Sequence, residues 1–271
     1  MKFGLIIIGD EILSGRRQDQ HLAKAISLLG ARGLQVAYAH YVGDDPQRIT
    51  ATLSQAFASG DAVFSFGGIG ATPDDHTRQC AAAAWGRPLA LHPEARTLIT
   101  ERMQDMARSQ GLPFDADSAE NQHRLNMGVF PVGADIIPNP YNKIPGFRCV
   151  AAAADGPAVH FLPGFPVMAW PMLEWALDTY YKAAFAPGSW SEHSVIVPGV
   201  MESTLTPLME RLEQSHPVKV FSLPSVDHPQ YGRHIELGVK GTPEAAQTAF
   251  DAMLGALQDM RIALGPVMVR N

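Results

Sequence analysis

The sequence predicts an α/β fold, a mostly parallel sheet flanked by helices and followed by a smaller α+β domain. Three observations predict it. Short apolar runs such as Phe3 to Ile8 and Ala62 to Phe66 lack polar alternation, the pattern of strands buried on both faces. Amphipathic helical stretches alternate with those runs through the first half, and strands alternating with helices build parallel sheets. Ala186-Pro187-Gly188-Ser189 then reads as a boundary, giving domains over 1–186 and 187–271.

The elements follow in order. After the strand Phe3 to Ile8 comes a helical stripe of Leu22, Ala25, Ile26 and Leu29, ended by Gly30 and Gly33. Val36 to Val42 is the second strand. Asp45-Pro46 fits an N-cap with proline at the first helical position, and Ile49, Leu53, Ala56 and Phe57 continue that helix to Gly60. Ala62 to Phe66 is the third strand, leading into a glycine-rich loop and a helix through Ala81 to Ala84. The stretch from Pro113 to Ala158 is irregular and proline-punctuated. Val159 to Leu162 closes the first domain's strands, and the helix with Met168, Trp170, Leu173 and Trp175 is apolar nearly all round, so it is buried or meets another subunit. Beyond the boundary the order is strand, helix, strand, strand, helix, with the last helix opening at Thr242-Pro243.

With 271 residues, 46% hydrophobic and 18% charged, the chain is an ordinary folded protein. A net charge of −6 leaves no basic footprint for nucleic acid. The apolar N-terminal run stops at Gly9-Asp10-Glu11, too short for a membrane span or a signal peptide, so the chain reads as cytoplasmic. Cys80 and Cys149 lack any metal or disulfide spacing and read as buried small hydrophobes.

In parallel sheets ligands bind beyond the carboxyl ends of the strands. Gly9-Asp10-Glu11, Gly43-Asp44-Asp45 and Gly67 to Asp75 each follow a strand, so all three should gather at one rim. Gly67-Gly68-Ile69-Gly70 lets backbone amides approach an anion, with Thr72 and Pro73 placed to open the next helix. The spacing matches neither a Walker A loop nor GxGxxG. Asp74 and Asp75 would repel a pyrophosphate unless a cation, most naturally Mg²⁺, lies between them. Thr72-x-x-Asp75 is equally a capping box that needs no ligand, and Asp45 is equally a plain N-cap. Ser14 and Gly15 either line the site or form a turn. Lys143 either meets phosphate or is solvated, and His76 is the one histidine placed to touch a ligand.

Four blocks are shared with a known family: Ile7-Ile8-Gly9-Asp10-Glu11-Ile12-Leu13-Ser14-Gly15, Val42-Gly43-Asp44-Asp45, Gly67 to Arg78, and Leu162-Pro163-Gly164-Phe165-Pro166. In their order over residues 3 to 180 they resemble the MoaB/Mog molybdopterin-binding domain of molybdenum-cofactor biosynthesis. The chain is most similar to the N-terminal part of competence-damage-inducible protein A (CinA), and also resembles a domain of FAD synthase. Pro198 to Ser203 and the pattern after it resemble that family's small second domain. The resemblance implies a three-layer α/β/α fold, a homo-oligomer, and a site for a phosphorylated pterin or an ADP-containing pyrophosphate. It implies catalytic Asp44 and Asp75 working with Mg²⁺, held by Asp44, Asp74 and Asp75. Gly9, Asp10, Glu11, Ser14, Gly67, Gly68, Ile69, Gly70, Thr72, Lys143, Pro163 and Gly164 would line the ligand. Phe66 stands where the family often has Thr, Ala71 where it has Pro, and Val167-Met168-Ala169 replaces Ser-Glu-Met.

Three functions are then in play. A Mg-dependent hydrolase of a nucleotide pyrophosphate, of the ADP-ribose or FAD type, ranks with a molybdopterin-binding or adenylylating enzyme or carrier. A non-catalytic ligand-binding scaffold follows, motivated by the lost carboxylate after Pro166.

Overall fold

In the computed structural model, which describes residues 1–150 and 157–270, strand β1 (Phe3–Ile8) is flanked on both sides by later strands. Its side chains alternate: Ile6 and Ile8 enter one core, while Phe3, Leu5 and Ile7 enter another on the opposite face. That is why the run carries no polar alternation. Burying each such side chain stabilises the fold by about 1.5–3 kcal/mol.

The chain continues through helix α1 (Asp10–Leu13), α2 (His21–Gly30), β2 (Val36–Val42), α3 (Pro46–Ser59) and β3 (Ala62–Phe66). Asp45 caps α3 through its carboxylate, which accepts from Arg48 N at 2.8 Å, and Pro46 occupies the first turn. In α2 the buried face is His21, Ala25, Leu28 and Leu29. Ile26, expected in that stripe, points outward at 53% exposure.

Next come α4 (Thr77–Trp85), β4 (Leu89–Leu91), α5 (Pro93–Ser109), α6 (Ala119–Leu125), β5 (Val129–Pro131), β6 (Asp135–Ile137), β7 (Gly146–Val150), β8 (Ala158–Leu162) and α7 (Pro166–Tyr180). The main sheet has the order β2-β1-β3-β8-β7-β6, parallel through β8 and antiparallel at its last two strands. Helices α3, α4 and α5 cover one face and α2 and α7 the other, a three-layer α/β/α arrangement. The irregular stretch from Pro113 to Ala158 therefore holds the last two strands of the sheet, β7 and the edge strand β6; its residues 151–156 lie outside the described residues. Helix α7 buries one face only, through Ala169, Met172, Leu173, Ala176 and Leu177, and leaves Val167 exposed.

The chain divides into two compact units, Met1–Phe185 and Ala186–Asn271. The second unit contains β9 (Ser191–Pro198), α8 (Glu202–Ser215), β10 (Lys219–His228), β11 (Gly232–Gly241), α9 (Pro243–Asp259) and β12 (Val267–Arg270). Its sheet, ordered β10-β11-β9-β12, is antiparallel throughout, and α8 and α9 pack on one face around Val195, Leu208, Leu237 and Phe250. Helix α8 starts at Glu202 and carries Pro207 inside it. Among the described residues, no helix is long and apolar enough to cross a membrane.

Candidate functional site

The strand order reverses direction at β1: the chain leaves β1 for β2 on one side and returns to β3 on the other. A crevice opens at such a point beyond the strand ends. Here it is flanked by Gly9 after β1 and Gly67 after β3. The loop after β2 joins them by a reciprocal pair of bonds, Asp10 N to Asp44 Oδ2 at 2.9 Å and Asp44 N to Asp10 Oδ1 at 3.1 Å. Gly67 N donates to Leu162 O at 3.0 Å, which fastens the loop after β3 to the end of β8.

The glycines of the loop are required by contact. Gly67 has φ +101°, and a Cβ there would lie 2.3 Å from Ile8 O. Gly68 has φ +68°, and its Cβ would lie 2.2 Å from Thr77 Oγ1. Loop carbonyls are tied to the start of α4: Gly67 O accepts from Thr77 Oγ1 (3.0 Å), Gly68 O from Thr77 N (3.0 Å) and Gly70 O from Arg78 Nη2 (2.7 Å). A trans peptide sets its N–H opposite its C=O. The amides of Gly68, Ile69 and Ala71 therefore point away from α4, and among the described residues they have no acceptor. Unpaired amides grouped in this way are able to cradle an anion.

The expected helix start is different. Thr72 and Pro73 do not open α4; its first residue is Thr77. Thr72 N and Oγ1 both donate to Asp75 Oδ2, at 2.8 and 2.5 Å, and Asp75 N returns to Thr72 O at 3.0 Å. That closed turn uses the groups a capping box would have given to the helix. Asp75 thus spends one carboxylate oxygen on holding the loop.

A cleft of about 560 Å³ lies over this rim. Of the expected site residues, Gly9, Glu11, Asp44, Gly67, Gly68, Ile69, Gly70, Thr72, Asp74, Asp75, Pro163 and Gly164 border it. Asp10 and Ser14 do not: Asp10 acts one step back, on Asp44, and Ser14 is the exposed C-cap of α1. Lys143 is also displaced. Asn139 folds its loop by donating to Asn142 Oδ1 and Ile144 O, at 2.8 and 2.9 Å, and Lys143 takes φ +63°. Its ammonium is bound outside the cleft by Glu101 (3.1 Å) and Asp105 (2.9 Å), which raise its pKa. His76 faces a neighbouring cavity.

Several bordering residues escape sequence reasoning. Arg17 supplies the cleft's cation in place of Lys143, positioned by a bond from its N to Glu11 O at 2.9 Å. Met127, Ile144, Pro145, Phe165 and Met168 give an apolar wall. His21 is buried against Phe66 (ring centroids 4.4 Å), donates from Nε2 to Gly164 O at 3.1 Å, and is held below its usual pKa by that burial. It fixes the Pro163-Gly164 edge of the cleft. The signal was faint: a histidine beside an Asp at a helix start looks like a surface residue.

Burial first, then the charges of Asp10, Glu11 and Asp74, push the Asp44 carboxyl above the ordinary range. Among the described residues, no three His, Cys, Asp or Glu side chains converge to cage a metal ion. Asp44 and Asp74 both border the cleft, and the charge of Asp74 acts on Asp44. That donor pair fits a Mg²⁺ that completes its shell with waters and ligand oxygens, and does not fit an all-protein cage.

Known proteins share this architecture. The family described as "Probable molybdopterin binding domain" matches residues 4–183. A protein of Pyrobaculum calidifontis is 31% identical over 260 residues, 94% of each chain. A CinA-like protein of Citrifermentans bemidjiense is 30% identical over 221 residues, 81% of this chain and 50% of its own length. The chain thus spans about half the length of that CinA-like relative. The crystal structure of CinA from Thermoplasma acidophilum, a protein described as of unknown function, aligns with TM-score 0.54 and 29% identity, over 66% of this chain and 98% of that one.

Proposed function

The chain belongs to the molybdopterin-binding domain family, and on that premise we propose that its cleft binds a pyrophosphate-bearing nucleotide and hydrolyses it. The amides of Gly68, Ile69 and Ala71, freed by the ties from Thr77 and Arg78, carry this reading. They take the phosphate oxygens, and Arg17 adds a positive charge to the same cleft. The apolar wall of Met127, Ile144 and Phe165 takes a flat ring. Asp44, whose partial burial raises its pKa and makes it a stronger base, orients a water and accepts its proton as the oxygen attacks phosphorus and the bridging P–O bond breaks. Asp75 holds the loop through Thr72 and keeps one carboxylate oxygen free. Mg²⁺, held by Asp44 and Asp74 with the ligand's own oxygens, would neutralise the negative charge that builds on the phosphates.

The test is AMP release from ADP-ribose or FAD, with and without Mg²⁺. Asp44→Asn and Asp75→Asn should each abolish metal-dependent release; undiminished turnover in either variant removes the role assigned to that residue. The same apolar wall and amide cradle suit a phosphorylated pterin, which supports a second reading as a cofactor-biosynthesis enzyme or carrier. Adenylylated pterin formed from ATP and Mg²⁺, with no AMP released from ADP-ribose or FAD, would establish it instead.

A further inference from the structure

The glycine loop borders a second cavity of about 400 Å³, which shares Ala71, Thr72 and Asp75 with the cleft and adds His76, Arg78 and Gln79. Arg78 is the unusual member. It is only 5% exposed, yet among the described residues its guanidinium forms no ion pair and makes one hydrogen bond, from Nη2 to Gly70 O. Its Nε is buried without an acceptor. Asp75 is near enough to favour the charge, but its Oδ2 is committed to Thr72. A guanidinium carries five donors and stays charged, and burying one without a counter-ion is strongly unfavourable.

Donors of other kinds collect around it. Thr77 N and Cys80 N are satisfied by Gly68 O and His76 O. Between them, the amides of Arg78 and Gln79 belong to the unpaired first turn of a nine-residue helix, where the peptide dipoles add partial positive charge. The opposite wall is fixed rather than competing: His123 Nε2 donates to Ala71 O at 3.0 Å.

We propose that this cavity is a second oxyanion site, separate from the cleft, in which a phosphate group sits on the Arg78 guanidinium and the first amides of α4. Phosphate matches the planar fork of Arg78 and supplies the counter-ion that the buried guanidinium lacks. Because the two cavities share Ala71, Thr72 and Asp75, the phosphate is either free or a further phosphate, beyond the pyrophosphate, of a nucleotide already in the cleft. The site does not depend on the hydrolysis proposed for the cleft.

Crystals soaked in arsenate, a phosphate mimic visible by anomalous scattering, test the position. A peak within hydrogen-bond reach of the Arg78 guanidinium is expected. A peak only on the Gly68 to Ala71 amides, or no peak, overturns this site; the first of these leaves the cleft's reading intact. Calorimetry with inorganic phosphate tests the energetics: Arg78→Lys, which keeps the charge but loses the fork, should bind at least about tenfold more weakly. His76→Ala provides a second variant should Arg78→Lys fold poorly, with a loss of about threefold expected for one wall donor. Unchanged phosphate affinity in folded variants overturns the proposal. Comparing ADP-ribose with its 2′-phosphate distinguishes the source. Tighter binding of the 2′-phosphorylated ligand, lost in Arg78→Lys, assigns the nucleotide's own phosphate; equal binding of the two ligands, beside phosphate binding that needs Arg78, assigns free phosphate.

Discussion

In the C-terminal unit, Arg270 Nη1 donates to Glu192 and Glu236 at 2.8 and 2.6 Å, and Ser194 Oγ donates to Glu236 at 2.7 Å. These three charges on that sheet are closed on one another. The N-terminal unit behaves differently at its rim, where the Gly68, Ile69 and Ala71 amides and Arg78 Nε have no partner within the described chain. Among the described residues, six buried side-chain polar atoms of the N-terminal unit are orphaned, against Ser222 Oγ alone in the C-terminal unit. The first unit is about twice as long, so length alone does not explain the excess. Buried polar groups are normally satisfied, and where they are not, the missing partner is a reason to look for a ligand. His21 and Arg78 are two of the six, and both touch the loops around the cleft.

The sharpest way to break this comparison is to substitute a positive-φ glycine in each unit. Gly67→Ala drives a Cβ into Ile8 O and should destabilise the protein by about 3 kcal/mol or more, with loss of nucleotide binding. Gly232→Ala in the C-terminal unit has φ +59° but open space around it, and should cost only about 1 kcal/mol. Urea titrations of both variants check this; equal losses would mean that strain in φ, and not the close approach of Ile8, governs the loop.

A middle-sized effect is expected from Arg270→Met. It removes two ion pairs from a half-exposed arginine, so unfolding free energy should fall by about 1 kcal/mol or less while nucleotide affinity stays unchanged. A drop in affinity, read by calorimetry, would show that the second unit contributes to binding.

The smallest effect concerns pH. The fold raises the Asp44 pKa, so it holds that proton more tightly than the unfolded chain does. The penalty for ionised Asp44 is absent below the ordinary carboxylate range and grows as pH rises through the raised value. Asp44→Asn should therefore stabilise the protein at neutral pH, by less than about 1 kcal/mol for so solvated a group, and the gain should fade toward pH ~4. Melting curves across that range decide it; a gain independent of pH would place the effect in packing instead.

The strands of the first half were legible to the residue at β1, β2 and β3; full burial leaves an uninterrupted apolar run at β1 and β3, while β2 is only partly buried and reads from its β-branched and aromatic residues. The cap at Asp45 and Pro46 was equally plain. Helix α5 was not, since only Ala95, Ile99 and Met103 are buried along its 17 residues and the rest reads as polar surface. In the proline-punctuated stretch β6 hid because it has only three residues, and β7 because Arg148 interrupts its apolar run. At the site, the three rim loops followed from strand order alone. Lys143 could not be placed, because its direction depends on Asn139 winding the loop and on Glu101 and Asp105 from a distant helix. Arg78 was read only as the end of a motif; its burial is a property of packing between α4 and the loop, which no local pattern records.

Strand β8 has a consequence for how the protein comes off the ribosome. His160 Nδ1 bonds to Val63 O across 97 residues of chain, and Pro163 and Gly164, just after β8, form one edge of the cleft. Apart from Phe165 and Met168, which follow directly, everything on the other edges is synthesised earlier. Through that interval the exposed side of β3 lacks its neighbour, and contacts of such long sequence separation form slowly. The nascent N-terminal unit therefore passes through a period with an unpaired apolar strand edge, when chaperone binding and self-association compete with completion of the sheet.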